Sequence, residues 1–178
     1  MRGRNPAGPI TGAPGNPGQF TKRNRPPAGE PWVWLTNEMI TSPAWQAMSL
    51  AARKIVDRLM IEHMAHGGTE NGNLIVTYAD FRKYGIRDKT IASAIREAVA
   101  LGWVQVISKG GKARGDIRHP SYYALAWLPW RDATPAKNTW RTVRSPEQAA
   151  ERKRLARQRP KPEFMGTAPG EGTWSRAA

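Results

Sequence analysis

Apolar residues recur at helical spacing in two stretches of this chain, and shorter apolar runs between turn signals read as strands. After Ser49, the residues Leu50, Ala51, Ile55 and Leu59, with Val56 and Met60 alongside, fall on one stripe that stops at Gly67-Gly68. A hydroxyl N-cap before the stripe and glycine after it predict a helix. Trp45 and Met48 lie just upstream, placed to pack across its first turn. Asn71-Gly72-Asn73 is a turn signal, and Leu74–Val76 reads as a short strand. Thr77 and Asp80 have the spacing of a capping box, which predicts a short helix over Tyr78–Tyr84 ended by Gly85. Ile86-Arg87 then leads to a second helix, from about Asp88 to Leu101, with Gly102 behind it. Its Ile91, Ala94, Ile95, Ala98 and Leu101 form the second apolar stripe. Asp88 is expected to be the N-cap, its carboxylate turned back onto the first amides. Trp103–Ile107 reads as a strand, Lys109–Pro120 as a glycine-rich basic loop, and Tyr122–Leu128 as a returning strand.

Two short helices around a glycine turn make a helix-turn-helix unit, and the hairpin after it supplies a wing. The expected fold class is therefore α+β, a winged helix-turn-helix of three helices with a small antiparallel β-hairpin. Composition sets its limits. Residues 1–30 hold five Lys/Arg against one acid among Gly, Pro and Asn, and are expected to form a disordered basic arm. Residues 31–130 hold 12 basic and eight acidic side chains and most of the Ile, Leu, Val and Trp, enough for one core. Residues 131–178 are expected to be a basic tail, with a helix at 145–158 that is polar all round.

Charge changes the picture most. A formal net charge of +14 over 178 residues draws the chain to polyanions. The chain has no cysteine, so disulfide scaffolds and Cys-based zinc sites are excluded. No apolar run reaches the roughly 18–20 residues needed to cross a bilayer, and the basic start is not followed by a hydrophobic signal segment. The expectation is a cytoplasmic, nucleoid-associated protein with no membrane partner.

The stripe on Asp88–Leu101 leaves an opposite face of Lys89, Thr90, Ser93, Arg96 and Glu97, with Arg87 at its start. The early part of such a helix meets base edges in the major groove; Arg and Lys suit guanine, and Ser and Thr suit any base or a phosphate. Most charged helix faces are merely solvated, but this one sits between a capping box and a hairpin. The hairpin loop carries Lys109, Lys112, Arg114, Arg118 and His119 against one acid, Asp116. Its glycines permit close backbone approach, and its charge supplies salt-dependent affinity. The arm residues Lys22, Arg23 and Arg25 are candidates for a minor groove or phosphates, as are Arg2 and Arg4, and Arg152, Lys153, Arg154 and Arg157 near the other end. Trp32, Trp34, Trp45, Trp103, Trp127 and Trp130 would serve as stacking platforms for single strands, but their places at element boundaries favour core.

Residues from about 19 to 130 resemble winged helix-turn-helix DNA-binding proteins of bacterial phages, plasmids and integrative elements, of α-proteobacterial type. The resemblance rests on Gly18–Lys22, Ser42–Trp45 before Met48–Ala52, Asn71–Asn73 and Thr77–Asp80. It continues through Gly85-Ile86, Thr90–Glu97 and Gly102-Trp103. Arg87-Asp88 departs from the small cap usual there. The resemblance implies sequence-specific binding of double-stranded DNA, in a transcriptional regulator of a mobile element. A homodimer would fit a palindromic site. The alternatives are an origin-binding replication initiator, or a winged helix turned to protein or RNA binding. An enzyme is not expected. His63 and His66 near Glu62 lack both the HExxH order and a third ligand, and read as solvent-facing histidines at a helix end. Gly110-Gly111-Lys112 lacks P-loop spacing. No metal and no cofactor is expected.

Overall fold

Hydroxyl caps start the first helices among the described residues. In the computed structural model, which describes residues 29–112 and 118–158, the Thr36 side chain accepts from the Met39 amide and opens α1 (Asn37–Thr41). Ser42 does the same for Trp45 at the start of α2 (Pro43–Gln46), where Pro43 fills the first position without wasting a donor. These two short helices were not anticipated, although their caps stand in the sequence. Ser49 caps α3 (Leu50–Ala65) by accepting from the Ala52 amide at 3.2 Å. All these elements lie in the unit Val33–Ala178.

After α3 come β1 (Leu74–Ile75), α4 (Tyr78–Lys83) and α5 (Asp88–Ala100). The capping box at α4 is complete: the Thr77 hydroxyl accepts from the Asp80 amide, and the Asp80 carboxylate accepts from the Thr77 amide at 2.9 Å. The Thr77 hydroxyl also donates to the Asp80 carboxylate at 2.6 Å, and this bond, with the Thr77 amide's, holds the Asp80 carboxyl below the usual carboxylate range. The expected cap of α5 is different from the observed one. Arg87 is the N-cap and makes no side-chain cap bond, while Asp88 is the first helical residue.

Among the described residues five strands form: β1, β2 (Val104–Ser108), β3 (Gly111–Lys112), β4 (Arg118–His119) and β5 (Tyr122–Leu125). β5 runs between β1 and β2, antiparallel to both, while β3 and β4 pair separately at the hairpin. The returning strand ends at Leu125 rather than Leu128: the Ala126 amide still donates to the Trp103 carbonyl at 3.0 Å, in register with the ladder, but the chain then turns and the Leu128 amide donates back to the Leu125 carbonyl. Asn71 fixes that corner. Its buried amide donates to the carbonyls of Leu125, Leu128 and Pro129, and its oxygen accepts from the Leu125 amide at 2.7 Å. Every polar atom of the side chain is thereby satisfied, which burial demands.

The architecture is α+β: helices on one small three-stranded antiparallel sheet. Ile55, Leu59, Leu74, Phe81, Ile91, Leu101 and Leu125 form the middle of the core. Trp103 is its aromatic hub, with edge contacts to Trp45 and Trp127 and a parallel stack on Trp140 at 5.3 Å. Trp45, Trp103 and Trp127 are core side chains, as expected, but Trp32 and Trp34 are 57% and 42% exposed. The core also runs past residue 130, where composition suggested that it ends. Trp140, in a 3-10 turn at Thr139–Thr142, is buried with Val143 and with Ala149 of α6 (Pro146–Gln158). Gly102 permits this closure. It stands at φ +82°, and a Cβ there would meet the Thr139 carbonyl carbon and the Trp140 nitrogen at 2.5 Å. Among the described residues no helix is long and apolar enough to cross a membrane.

Candidate nucleic-acid interface

The turn between α4 and α5 is built by glycine and anchored from below. Gly85 adopts φ +82°, and its carbonyl accepts from the Lys54 ammonium of α3 at 3.2 Å. Phe81 and Ile86 on either side of the turn are buried, so the two helices are set at a fixed angle. Outside that anchor the chain is polar and basic. Arg82, Lys83, Arg87, Asp88, Lys89 and Thr90 are all exposed. The Asp88 carboxylate accepts from Arg82 at 3.2 Å instead of capping the helix. The first amides of α5 therefore have no side-chain acceptor at the N-cap, and the helix starts in an exposed stretch that carries Arg82, Lys83, Arg87 and Lys89 and one carboxylate, Asp88, paired with Arg82. Arg82 and Lys83 were missed as candidates. They read as the end of α4, and the structure ties Arg82 to the start of α5 through Asp88.

Further along α5 the outward face is not free. Ser93 is half-buried, and its hydroxyl donates to the Thr90 carbonyl at 2.9 Å. Arg96, also half-buried, donates from Nε to the Ala156 carbonyl of α6 at 3.2 Å. Glu97, expected on the open face, is buried. It accepts from the Ser49 amide at 2.7 Å, and Lys153 of α6 stands 3.4 Å away. Arg152 of α6 reaches the Ala100 carbonyl, the Thr142 hydroxyl and the Thr142 carbonyl. Since Arg152 meets the end of α5 and Ala156 meets its middle, α6 lies antiparallel along it. Lys153 also donates to the Ala47 carbonyl at the end of α2. The tail helix that reads as polar all round is thus packed on the second half of the candidate reading helix.

At the hairpin, Lys109 is exposed just past the end of β2. A bulge between Val106 and Ser108 leaves Ile107 unpaired and bends the strand there. The Gly110 amide donates to the Ser121 hydroxyl at 2.9 Å and closes the base of the hairpin. Gly111 pairs with His119 and Lys112 with Arg118 through their backbones. Arg114 lies outside the described residues, as do Lys22, Arg23 and Arg25 and the arm residues Arg2 and Arg4.

The histidine pair separates. His66 is exposed and lies 3.2 Å from Glu62. His63, expected to face solvent, is buried, and burial pushes its imidazole pKa down. Among the described residues no group of three or more His, Asp or Glu side chains is arranged to hold a metal ion. The chain matches no protein-family model, no curated protein and no solved structure.

Proposed function

We propose that this chain is a winged helix-turn-helix protein that binds double-stranded DNA sequence-specifically and regulates transcription in a mobile genetic element. The observation that carries the reading is the start of α5. An uncapped helix N-terminus, set by a glycine turn on a buried anchor, starts in an exposed stretch that carries Arg82, Lys83, Arg87 and Lys89. The element order from α3 through β1, α4, α5 and β2 to β5, with β5 central in the sheet, supports the finer fold assignment.

In this reading the first two turns of α5 enter the major groove. Lys89 suits guanine O6 and N7, and Thr90 suits a base edge or a phosphate. Arg82, Lys83 and Arg87 hold the flanking phosphates, which fixes register without reading sequence. Lys109, with Lys112, Arg114, Arg118 and His119, braces the duplex from the hairpin, and Lys22, Arg23 and Arg25 follow a neighbouring groove. A homodimer on a palindromic site fits such a module. The protein needs no cofactor and does no chemistry of its own.

The test is a titration of the full chain with duplex DNA and with single-stranded RNA at several salt concentrations, followed by footprinting on duplexes. Tight duplex binding that weakens as salt rises, with protected sequences in common, is the expected result. Equal or better binding to the single-stranded RNA would overturn it.

A further inference from the structure

The outward face of α5 is half covered by the protein's own last described helix. We propose that α6 is a displaceable cover on the reading helix. Docked, it confines DNA contact to the first two turns of α5; released, it lets the whole outward face, Arg96 included, lie in the groove. This rests on the DNA-binding reading above.

Size makes the docked helix and a fully seated α5 incompatible. Packed helices have axes about 8–10 Å apart and are each about 10 Å across, whereas the major groove is about 12 Å wide. A groove that takes α5 lengthwise cannot also take α6 on its outward side.

The way α6 is held makes it exchangeable. A helix fastened to a core carries a broad apolar stripe. In α6 the one fully buried side chain among the described residues is Ala149, and its largest apolar residue, Leu155, is 52% exposed. The rest of the dock is cation on carbonyl, with one ion pair: Arg152 on Ala100 and Thr142, Lys153 on Ala47 and on the Glu97 carboxylate, and Arg96 of α5 on Ala156. Phosphate oxygens satisfy Arg and Lys donors at least as well as carbonyls do. On release, Arg96, Arg152 and Lys153 exchange internal acceptors for those of the duplex. The opposing cost falls on Glu97, which keeps the Ser49 amide but loses Lys153. A duplex drives release only through its greater affinity for the open state, and those three cations supply the difference.

The experiment is hydrogen exchange on the full chain, alone and saturated with a duplex selected from a random-sequence pool. Peptides over residues 147–158 should lose protection at least about tenfold when duplex is added, while those over α3 keep theirs. Unchanged or increased protection of α6 in the complex would overturn the cover and leave the DNA-binding reading intact. No duplex binding at all would overturn both. Ala149→Gln gives a second measurement, because the longer side chain overfills the dock. A folded variant should bind duplex several-fold more tightly than the parent. Equal or weaker binding by a folded variant counts against the cover; if the variant does not fold, the exchange result decides.

Discussion

Two basic stretches of this protein meet opposite fates. Around the turn between α4 and α5, the cations of Arg82, Lys83, Arg87 and Lys89 are exposed, and only Arg82 has a carboxylate partner among the described residues. Along α6, Arg152 and Lys153 turn onto backbone carbonyls, and Arg154 is held by Glu151 in two bonds. The residue types are the same. What differs is the neighbourhood: α6 passes the carbonyl ends of α2 and α5, which accept from Lys153 and Arg152, whereas Arg87 and Lys89 stand at the amide end of α5. Long-range attraction to a polyanion still counts every charge, but direct contact depends on which cations remain uncommitted. Charge density along a sequence therefore does not locate the binding face.

The comparison can be broken most forcefully at Gly102, where the end of α5 meets the segment leading to α6. Gly102→Ala should cost about 3 kcal/mol, because a positive φ and a backbone clash act together. Urea denaturation followed by tryptophan fluorescence measures it, and a loss below about 1 kcal/mol would show that the segment yields easily. Lys153→Ala comes next, at about 2 kcal/mol, since it strips the cation from buried Glu97. Lys89→Ala should leave stability within about 0.5 kcal/mol. In duplex binding, Lys89→Ala should cost about tenfold and change the preferred sequence. Ser93→Ala should do less, because its hydroxyl is already bonded to the Thr90 carbonyl. Lys109→Ala should weaken all duplexes alike and lower the salt slope by about 1, as competition assays across salt would reveal.

The smallest effect is that of pH, and it lies away from both stretches. His63 has a pKa lowered by burial from the ordinary 6.5. The unfolded chain takes up a proton near that ordinary value while the native chain resists. Stability should therefore fall as pH drops through 6.5 and continue falling until the lowered native value is reached. Urea midpoints at about pH 7.5 and about pH 5.5 should differ in the parent and differ less in His63→Gln.

The fold is legible wherever local chemistry decides it. Ser49, the Thr77–Asp80 box, Gly85 and Gly102 mark element ends in the structure as they do in the sequence. What stays hidden depends on distant partners. Nothing along α6 announces that Arg152 and Lys153 find carbonyls, because cation-to-carbonyl docking leaves no apolar period. Glu97 reads as an open-face acid until Ser49 and Lys153 are brought to it. Asp88 looks like a cap, but Arg82, six residues earlier, captures its carboxylate. The first turn of α5 was thus visible as a candidate, while the closure of its second half was not.

The stack of Trp140 on Trp103 has a consequence for how the protein is made. The hub of the core emerges from the ribosome without its lid, and at about 5–20 residues per second the segment bearing Trp140 follows a few seconds later. During that interval the nascent chain carries an indole with one bare face. A chain stalled before residue 140 would be a target for chaperones or proteases.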